Sequence, residues 1–72
     1  METYRVFINE KEASNFANYE DALHFAAQVF KGKEKDFPFN KNEDVLEVET
    51  DDAGLISVEE SDFDESGKIV FK

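Results

Sequence analysis

The chain has 72 residues, no cysteine and a formal net charge of -10, from 18 acidic and 8 basic residues. This length fits one domain, residues 1–72, and the lack of cysteine excludes disulfides, thiolate zinc sites and cysteine nucleophiles. No apolar run approaches the ~20 residues of a membrane-spanning helix, and the opening residues METYR do not form a signal segment. We therefore expect a cytoplasmic protein without membrane association, whose core depends on eight phenylalanines and two tyrosines.

The first half of the chain predicts a strand, an optional second strand and a helix. Residues 3–9, TYRVFIN, alternate as a strand does, with Phe7 on the outward side, and a turn at Asn9 leads into a short return segment that ends near Phe16. In residues 18–32, NYEDALHFAAQVFKG, Asn18 suits the N-cap and Gly32 suits the left-handed position after the last turn. Apolar residues gather on one side of this helix, so it should cover a sheet.

The connection after the helix, KGKEKDFPFNKN, is the only basic neighbourhood of the chain. Its proline prevents the helix from continuing. Phe37 and Phe39 flank that proline, and we expect them to fold back over the small core.

From Asp44 onward the hydrophobic period becomes two. The segments DVLEVET, GLISVEE and GKIVFK predict three further strands. The inward side chains would be Leu46, Val48, Ile56, Val58, Ile69 and Phe71. The predicted fold is α+β, in the order β-(β)-α-β-β-β: a small antiparallel sheet of three to four strands with one helix packed on one face.

Charge is distributed unevenly along the chain. Residues 1–41 carry seven acids and six bases, whereas residues 42–72 carry eleven acids and two bases. Because self-repulsion of this kind destabilises a compact chain, the asymmetry indicates a function, and a basic partner is the simplest explanation. The acids of this segment, called here the acidic segment, are Glu43, Asp44, Glu47, Glu49, Asp51, Asp52, Glu59, Glu60, Asp62, Asp64 and Glu65.

The predicted strands would place some of these carboxylates in a regular array. Glu47 and Glu49 should project outward from one strand and Glu59 from the next, with acidic turns around them. Side chains at i and i+2 of a strand stand about 6.5–7 Å apart, and neighbouring strands about 4.8 Å apart. A DNA strand has one charge per ~3.4 Å of axis. Such a face could therefore stand in for phosphates in a groove lined with Lys and Arg.

Over residues 43–65 the chain resembles the small acidic inhibitors of phages and mobile elements, the DNA-mimic anti-restriction and anti-CRISPR proteins. The resemblance is one of size, charge and mixed α/β build, without a shared motif. It implies a non-enzymatic inhibitor or regulator that occupies the nucleic-acid site of a nuclease or CRISPR effector. Such a protein binds no nucleic acid itself and uses no cofactor, and the eleven acids are its expected partner-binding residues.

An alternative function uses exposed aromatic side chains instead of charge. The chain would then be a general interaction module or an antitoxin-like accessory subunit. Phe7, Phe25 and the loop containing Phe37 and Phe39 would be its contacts, since exposed aromatics make good interface anchors.

A weak calcium site is a further alternative. Asp62, Asp64, Ser66, Gly67 and Ile69 fall at the first, third, fifth, sixth and eighth positions of an EF-hand loop. The twelfth position, which supplies a bidentate glutamate, lies beyond the last residue, and the same letters fit a hairpin turn. We therefore assign no metal ligand. We also predict no catalytic residue, because the single histidine lies on the polar side of the helix without a nucleophile motif.

Overall fold

The computed structural model describes residues 3–70, which form a four-stranded antiparallel sheet with one α-helix on one face. The elements are β1 (Tyr4–Ile8), β2 (Lys11–Phe16), α1 (Tyr19–Phe30), β3 (Leu46–Thr50) and β4 (Gly54–Ser57), followed by a single 3₁₀ turn at Glu60–Asp62. The strands lie in the order β2-β1-β3-β4. The predicted α+β class, with one helix covering a small antiparallel sheet, is confirmed.

The optional second strand forms, and it is joined to β1 by a tight turn. Asn9 and Glu10 both have positive φ, 52° and 68°. Two consecutive left-handed residues are typical of the type I′ turn, whose twist matches that of the flanking strands. A register shift between Val6 and Phe7 marks a bulge in the hairpin and leaves Phe7 opposite Glu12.

Helix α1 begins and ends where the sequence predicts. Asn18 Oδ1 accepts from the backbone N–H of Asp21 at 2.9 Å, which caps the first turn. Gly32 has a φ of 69° just beyond the last turn, a conformation that glycine adopts at little cost. The helix buries Ala22, Leu23, Phe25, Ala26, Ala27 and Val29. All of these side chains except Ala27 pack with the inward residues of β1 and β3 in the core.

The aromatic loop folds back over this core, as predicted. Phe37 lies edge-to-face on Phe25 with ring centroids 5.5 Å apart, and Phe39 lies edge-to-face on Phe30 at 5.0 Å. Pairs of this geometry stabilise a fold beyond the area they bury. The loop therefore closes one margin of the helix–sheet layer.

The last predicted strand, GKIVFK, does not form within the described residues. Phe63 and Ile69 make only an isolated antiparallel bridge. The 3₁₀ turn after β4 diverts the chain toward the helix, where Phe63 packs on Phe30 at 6.0 Å. The observed order is thus β-β-α-β-β, and Phe71 lies outside the described residues.

Most predicted inward residues are confirmed. Leu46, Val48 and Val58 are buried, and Ile69 is partly buried against the core. Ile56 pairs with Val48 and shares its face, yet it remains 38% exposed. The reason is its position on the outermost strand, since α1 packs on β1, β2 and β3.

Candidate acidic interface

The side of the sheet opposite α1, called here the outer face, is not covered by a helix or strand of residues 3–70. Strand pairing and the alternation of side chains define its members. They are Arg5, Phe7, Glu12, Asn15, Glu47, Glu49, Leu55 and Ser57. The outer face thus holds two of the eleven predicted acids, together with Glu12, a carboxylate that the sequence analysis assigned to no site.

The carboxylates of the outer face differ in their partners. Arg5 Nε lies 3.4 Å from Glu49 Oε2 and 3.9 Å from Glu12 Oε1, so one guanidinium lies between acids of β2 and β3. Glu47 lies between Phe7 and Ser57 in the register. Among residues 3–70, no basic side chain lies within 4.0 Å of Glu47. Of the three carboxylates, Glu47 therefore has the least compensated charge.

Two further groups of acids lie at opposite ends of the sheet. Asp51 and Asp52 occupy the β3–β4 turn, where Asp51 Oδ2 is 3.5 Å from the hydroxyl of Tyr4. The other end surrounds the start of β3 and the exit from β4, and it holds Glu43, Asp44, Glu59 and Glu60. Lys41 Nζ contacts Glu60 Oε2 at 2.8 Å there, and this ion pair is exposed.

Glu59 does not project from β4 as the sequence analysis expected. The strand ends at Ser57, and the backbone N–H of Glu59 donates to Asp62 Oδ2 at 2.8 Å. This bond begins the 3₁₀ turn and ends the pairing with β3. The prediction that Glu59 lies beside Glu47 on the strand array is therefore wrong, and Glu12 is the third carboxylate of the outer face.

Asp44 has a structural role in the loop before β3. Its carboxylate accepts from the backbone N–H of Asn40 at 2.8 Å and from Asn9 Nδ2 at 3.0 Å. The Asn40 bond, followed by the Asn9 bond, lowers the pKa of Asp44 from its ordinary value of 3.8. This acid keeps its charge, but its oxygens are directed at the protein's own donors.

Asp64 has the same kind of role in the loop that resembles part of an EF-hand. Its Oδ1 accepts from the hydroxyl of Ser66 at 2.6 Å and from the backbone N–H groups of Ser66 and Lys68 at 2.9 and 3.0 Å. These bonds, the Ser66 hydroxyl first, lower the pKa of Asp64. Gly67 has a φ of 87°, and the backbone N–H of Asp64 donates to the carbonyl of Lys68 at 2.8 Å, so the segment is a hairpin turn. Within residues 3–70 no group of three or more His, Cys, Asp or Glu side chains is arranged to hold a metal ion.

The end of the acidic segment lies on the helix side of the molecule. Lys31 Nζ, at the end of α1, donates to the backbone carbonyl of Glu65 at 3.0 Å. Asp62 lies close enough to Tyr19 of α1 to contribute, after burial, to the raised pKa of that phenol. The structure therefore distributes the eleven acids over the outer face, both ends of the sheet and the helix side.

The aromatic side chains on which the alternative function depends are largely buried within the protein. Phe25 is only 8% exposed, and Phe37 and Phe39 are partly buried against the core. Phe7 is half-buried on the outer face. A contact surface built from these four side chains is therefore reduced to Phe7.

Comparison with protein-family models, curated proteins and solved structures gives no match. The fold and the charge distribution accordingly define the class, a small acidic α+β protein. No helix of the described residues has the length and apolar character needed to cross a bilayer.

Proposed function

We propose that this protein is a non-enzymatic inhibitor or regulator that binds the basic groove of a nucleic-acid-binding protein in place of nucleic acid. The partner is of the nuclease or CRISPR-effector type. The outer face, with the acids at its two ends, is the binding surface. The observation that carries the proposal is an uncovered sheet face with three carboxylates, for which Arg5 is the only basic partner among residues 3–70, and further acids at both ends of the sheet.

The total negative charge of the molecule is comparable with that of a DNA strand of the same length. Residues 3–70 carry the full net charge of -10, because Glu2 and Lys72 have opposite signs, and the longest dimension is 31 Å. One DNA strand has one charge per ~3.4 Å of axis, which gives about nine charges over the same length. The molecule as a whole therefore carries about as much negative charge as a DNA strand of its length, and the outer face with the two ends of the sheet holds the part that one groove could contact.

The outer face also has the mixed character of a protein interface. Glu47 lies near its centre and has no basic partner among residues 3–70, so a partner's guanidinium could pair with it, whereas Arg5 already lies between Glu12 and Glu49. Leu55 is 50% exposed beside them and gives an apolar contact. Interfaces commonly combine apolar contact with a charged rim, and charge complementarity mainly sets specificity and association rate.

The test removes charge from the outer face without changing the fold. The face variant combines Glu12→Gln, Glu47→Gln and Glu49→Gln, and a control variant combines Glu10→Gln, Glu34→Gln and Asp36→Asn, which lie in loops outside the outer face. Both variants lose three negative charges. Each is immobilised and exposed to a lysate, and captured nucleases and other nucleic-acid-binding proteins are challenged with duplex DNA.

We expect the wild type and the control to capture the same proteins, and DNA to displace them. The face variant should bind at least tenfold more weakly at 0.15 M salt. Its binding should also depend less steeply on salt concentration than that of the wild type, because fewer charge pairs form across the contact. Equal capture by both variants would show that the outer face is an ordinary solvated surface, and binding that DNA does not displace would refute nucleic-acid mimicry.

A further inference from the structure

The free edge of β4 is a second candidate surface. Within residues 3–70, β4 is the outermost strand on the side of the sheet away from β2. The backbone N–H of Val58 donates to the carbonyl of Leu46 at 2.8 Å. Because hydrogen-bonded and non-hydrogen-bonded pairs alternate between antiparallel strands, the N–H and C=O groups of Leu55 and Ser57 point away from β3. This edge presents two donors and two acceptors to an incoming strand.

The two edge strands of the sheet differ in the features that keep another strand from pairing with them. The strand β2 begins with Lys11 and Glu12 and pairs through a bulge. All four residues of β4 are exposed, and none is charged or proline. Its register with β3 is continuous. Because charges, prolines and bulges keep edge strands from pairing, β4 is the edge suited to accept an added strand.

A pocket lies beside β4 on the helix side of the sheet. The rings of Tyr4 and Tyr19 have centroids 5.7 Å apart, and Asp51 and Asp52 line the same pocket. The space beside Gly54, at the start of β4, is open, since a Cβ at that position would meet no atom within 4 Å. Aromatic rings bordered by carboxylates attract a Lys ammonium or an Arg guanidinium.

We propose that the β4 edge binds an extended basic segment of a partner protein by strand addition, with one Lys or Arg side chain in the tyrosine pocket. In the added strand, the residue opposite Gly54 points to the helix side, where that pocket lies. Neighbouring residues of the segment point to the outer side, beside Leu55. The proposal goes beyond the outer face and holds whether or not that face binds.

The surrounding charges decide between a basic partner and a second copy of the chain. Asp51 and Asp52 precede β4, and Glu59 and Glu60 follow it. Antiparallel pairing of two copies along β4 would place these acidic pairs against each other, in chains that each carry a net charge of -10. Like charges across such a contact oppose association, whereas a basic strand would meet opposite charge at both ends of β4.

The probe is a capped peptide, Lys-Val-Lys-Val-Lys-Val, titrated into the isotope-labelled protein and followed by NMR. In antiparallel pairing the lysines can lie on the helix side and the valines on the outer side, opposite Leu55 and Ser57, so the valine amides face β4. We expect the largest shifts at the backbone amides of Leu55 and Ser57 and at the ring of Tyr19. N-methylation of the valines should weaken binding about tenfold, whereas N-methylation of the lysines should change it less than about twofold. A peptide with Glu in place of Lys should not bind.

Protein variants give an independent readout. Ser57→Pro removes an outward donor without removing a bond to β3, and proline is tolerated on edge strands. It should weaken binding about tenfold relative to Ser57→Ala, and Asp51→Asn with Asp52→Asn should weaken it about fivefold. The N-methylated peptides test the same contact in the unmodified protein, should Ser57→Pro fail to fold.

Three results would overturn the proposal. The first is binding that is insensitive to valine N-methylation. The second is a set of shifts confined to Glu12, Glu47 and Glu49, which would place the peptide on the outer face and leave the proposed function standing. The third is a concentration-dependent dimer, seen by sedimentation, that Ser57→Pro abolishes, because a second copy would then occupy the edge. Conversely, loss of the outer-face interaction in the Gln variants would leave peptide binding at β4 intact.

Discussion

Glycine substitutions at the two residues of the β1–β2 turn should change stability in opposite directions. Asn9 and Glu10 share the left-handed conformation that glycine adopts most readily. Only Asn9, however, makes side-chain hydrogen bonds to the rest of the described chain. The turn thus separates the cost of a backbone conformation from the contribution of a side chain.

The Asn9 side chain joins the turn to the start of β3. Its Oδ1 accepts from the backbone N–H of Val45 at 2.9 Å, and its Nδ2 donates to Asp44. Asparagine tolerates the left-handed region better than most residues, so glycine gains little there. The bond to Val45 alone contributes about 0.5–1.5 kcal/mol. Asn9→Gly should therefore destabilise the fold by about 1 kcal/mol or more, which lowers the Tm by roughly 4–8 °C in a domain of this size.

The neighbouring Glu10 makes no such side-chain hydrogen bond among residues 3–70 to offset the cost of its left-handed conformation. The left-handed conformation costs a non-glycine residue roughly 1–2 kcal/mol, and the larger conformational entropy that glycine loses on folding offsets about 0.5–1 kcal/mol of the gain. Glu10→Gly should therefore stabilise the protein by about 0.5–1 kcal/mol. The dipeptide Asn-Gly, which this change produces, is also the preferred pair in type I′ turns.

Urea unfolding at 25 °C, followed by circular dichroism, measures both effects, and each variant serves as the control for the other. The reasoning about the side chain fails if Asn9→Gly raises the midpoint as Glu10→Gly does. The reasoning about the backbone fails if Glu10→Gly lowers the midpoint.

Three further predictions concern the core and the titrating groups. Leu46→Ala should reduce the free energy of unfolding by about 2–5 kcal/mol, and Leu55→Ala by no more than about 0.5 kcal/mol, because these leucines are 1% and 50% exposed; equal losses in urea unfolding would contradict this. Because folding lowers the pKa of Asp64, the wild type should have a larger free energy of unfolding than Asp64→Asn. This difference should be complete above the ordinary pKa of 3.8 and should be lost as the pH falls through the lowered pKa. A difference in urea unfolding that stays constant with pH would contradict this. Burial, and then the charge of Asp62, should hold the pKa of Tyr19 above its ordinary value of 10.0. Asp62→Asn should therefore lower that pKa part of the way toward 10.0 in an ultraviolet titration. An unchanged midpoint would exclude the charge effect.

Local signals predicted most of the fold. The cap at Asn18, the left-handed Gly32 and the alternation around Leu46 and Val48 each depend on neighbours in sequence, and each is observed. The prediction of the last strand was wrong because packing of Phe63 on Phe30 competes with strand pairing, and alternation alone does not reveal that competition.

The candidate interface was less accessible to sequence reasoning. Alternation placed Glu47 and Glu49 on the outer face, but it also placed Glu59 there, because an alternating pattern does not reveal the bond to Asp62 that begins the 3₁₀ turn. The position of Glu12 depends on the register of the hairpin after its bulge, which no local pattern fixes. The count of acids therefore predicted the amount of charge, whereas tertiary contacts determined its distribution.

The strand order has a consequence for how the chain folds. The pairs β1–β2 and β3–β4 are adjacent in sequence, whereas β1 and β3 meet at the centre of the sheet, with Val6 opposite Val48. Local hairpins close quickly, while a contact across more than half of the chain must first overcome the entropy of a long loop. We expect the pairing of β1 with β3 to limit the rate of folding. This step brings the nearly neutral β1–β2 hairpin against the strongly acidic β3–β4 hairpin. Added salt should therefore speed folding, because it screens the repulsion among the acids of the second half of the chain before β1 and β3 pair.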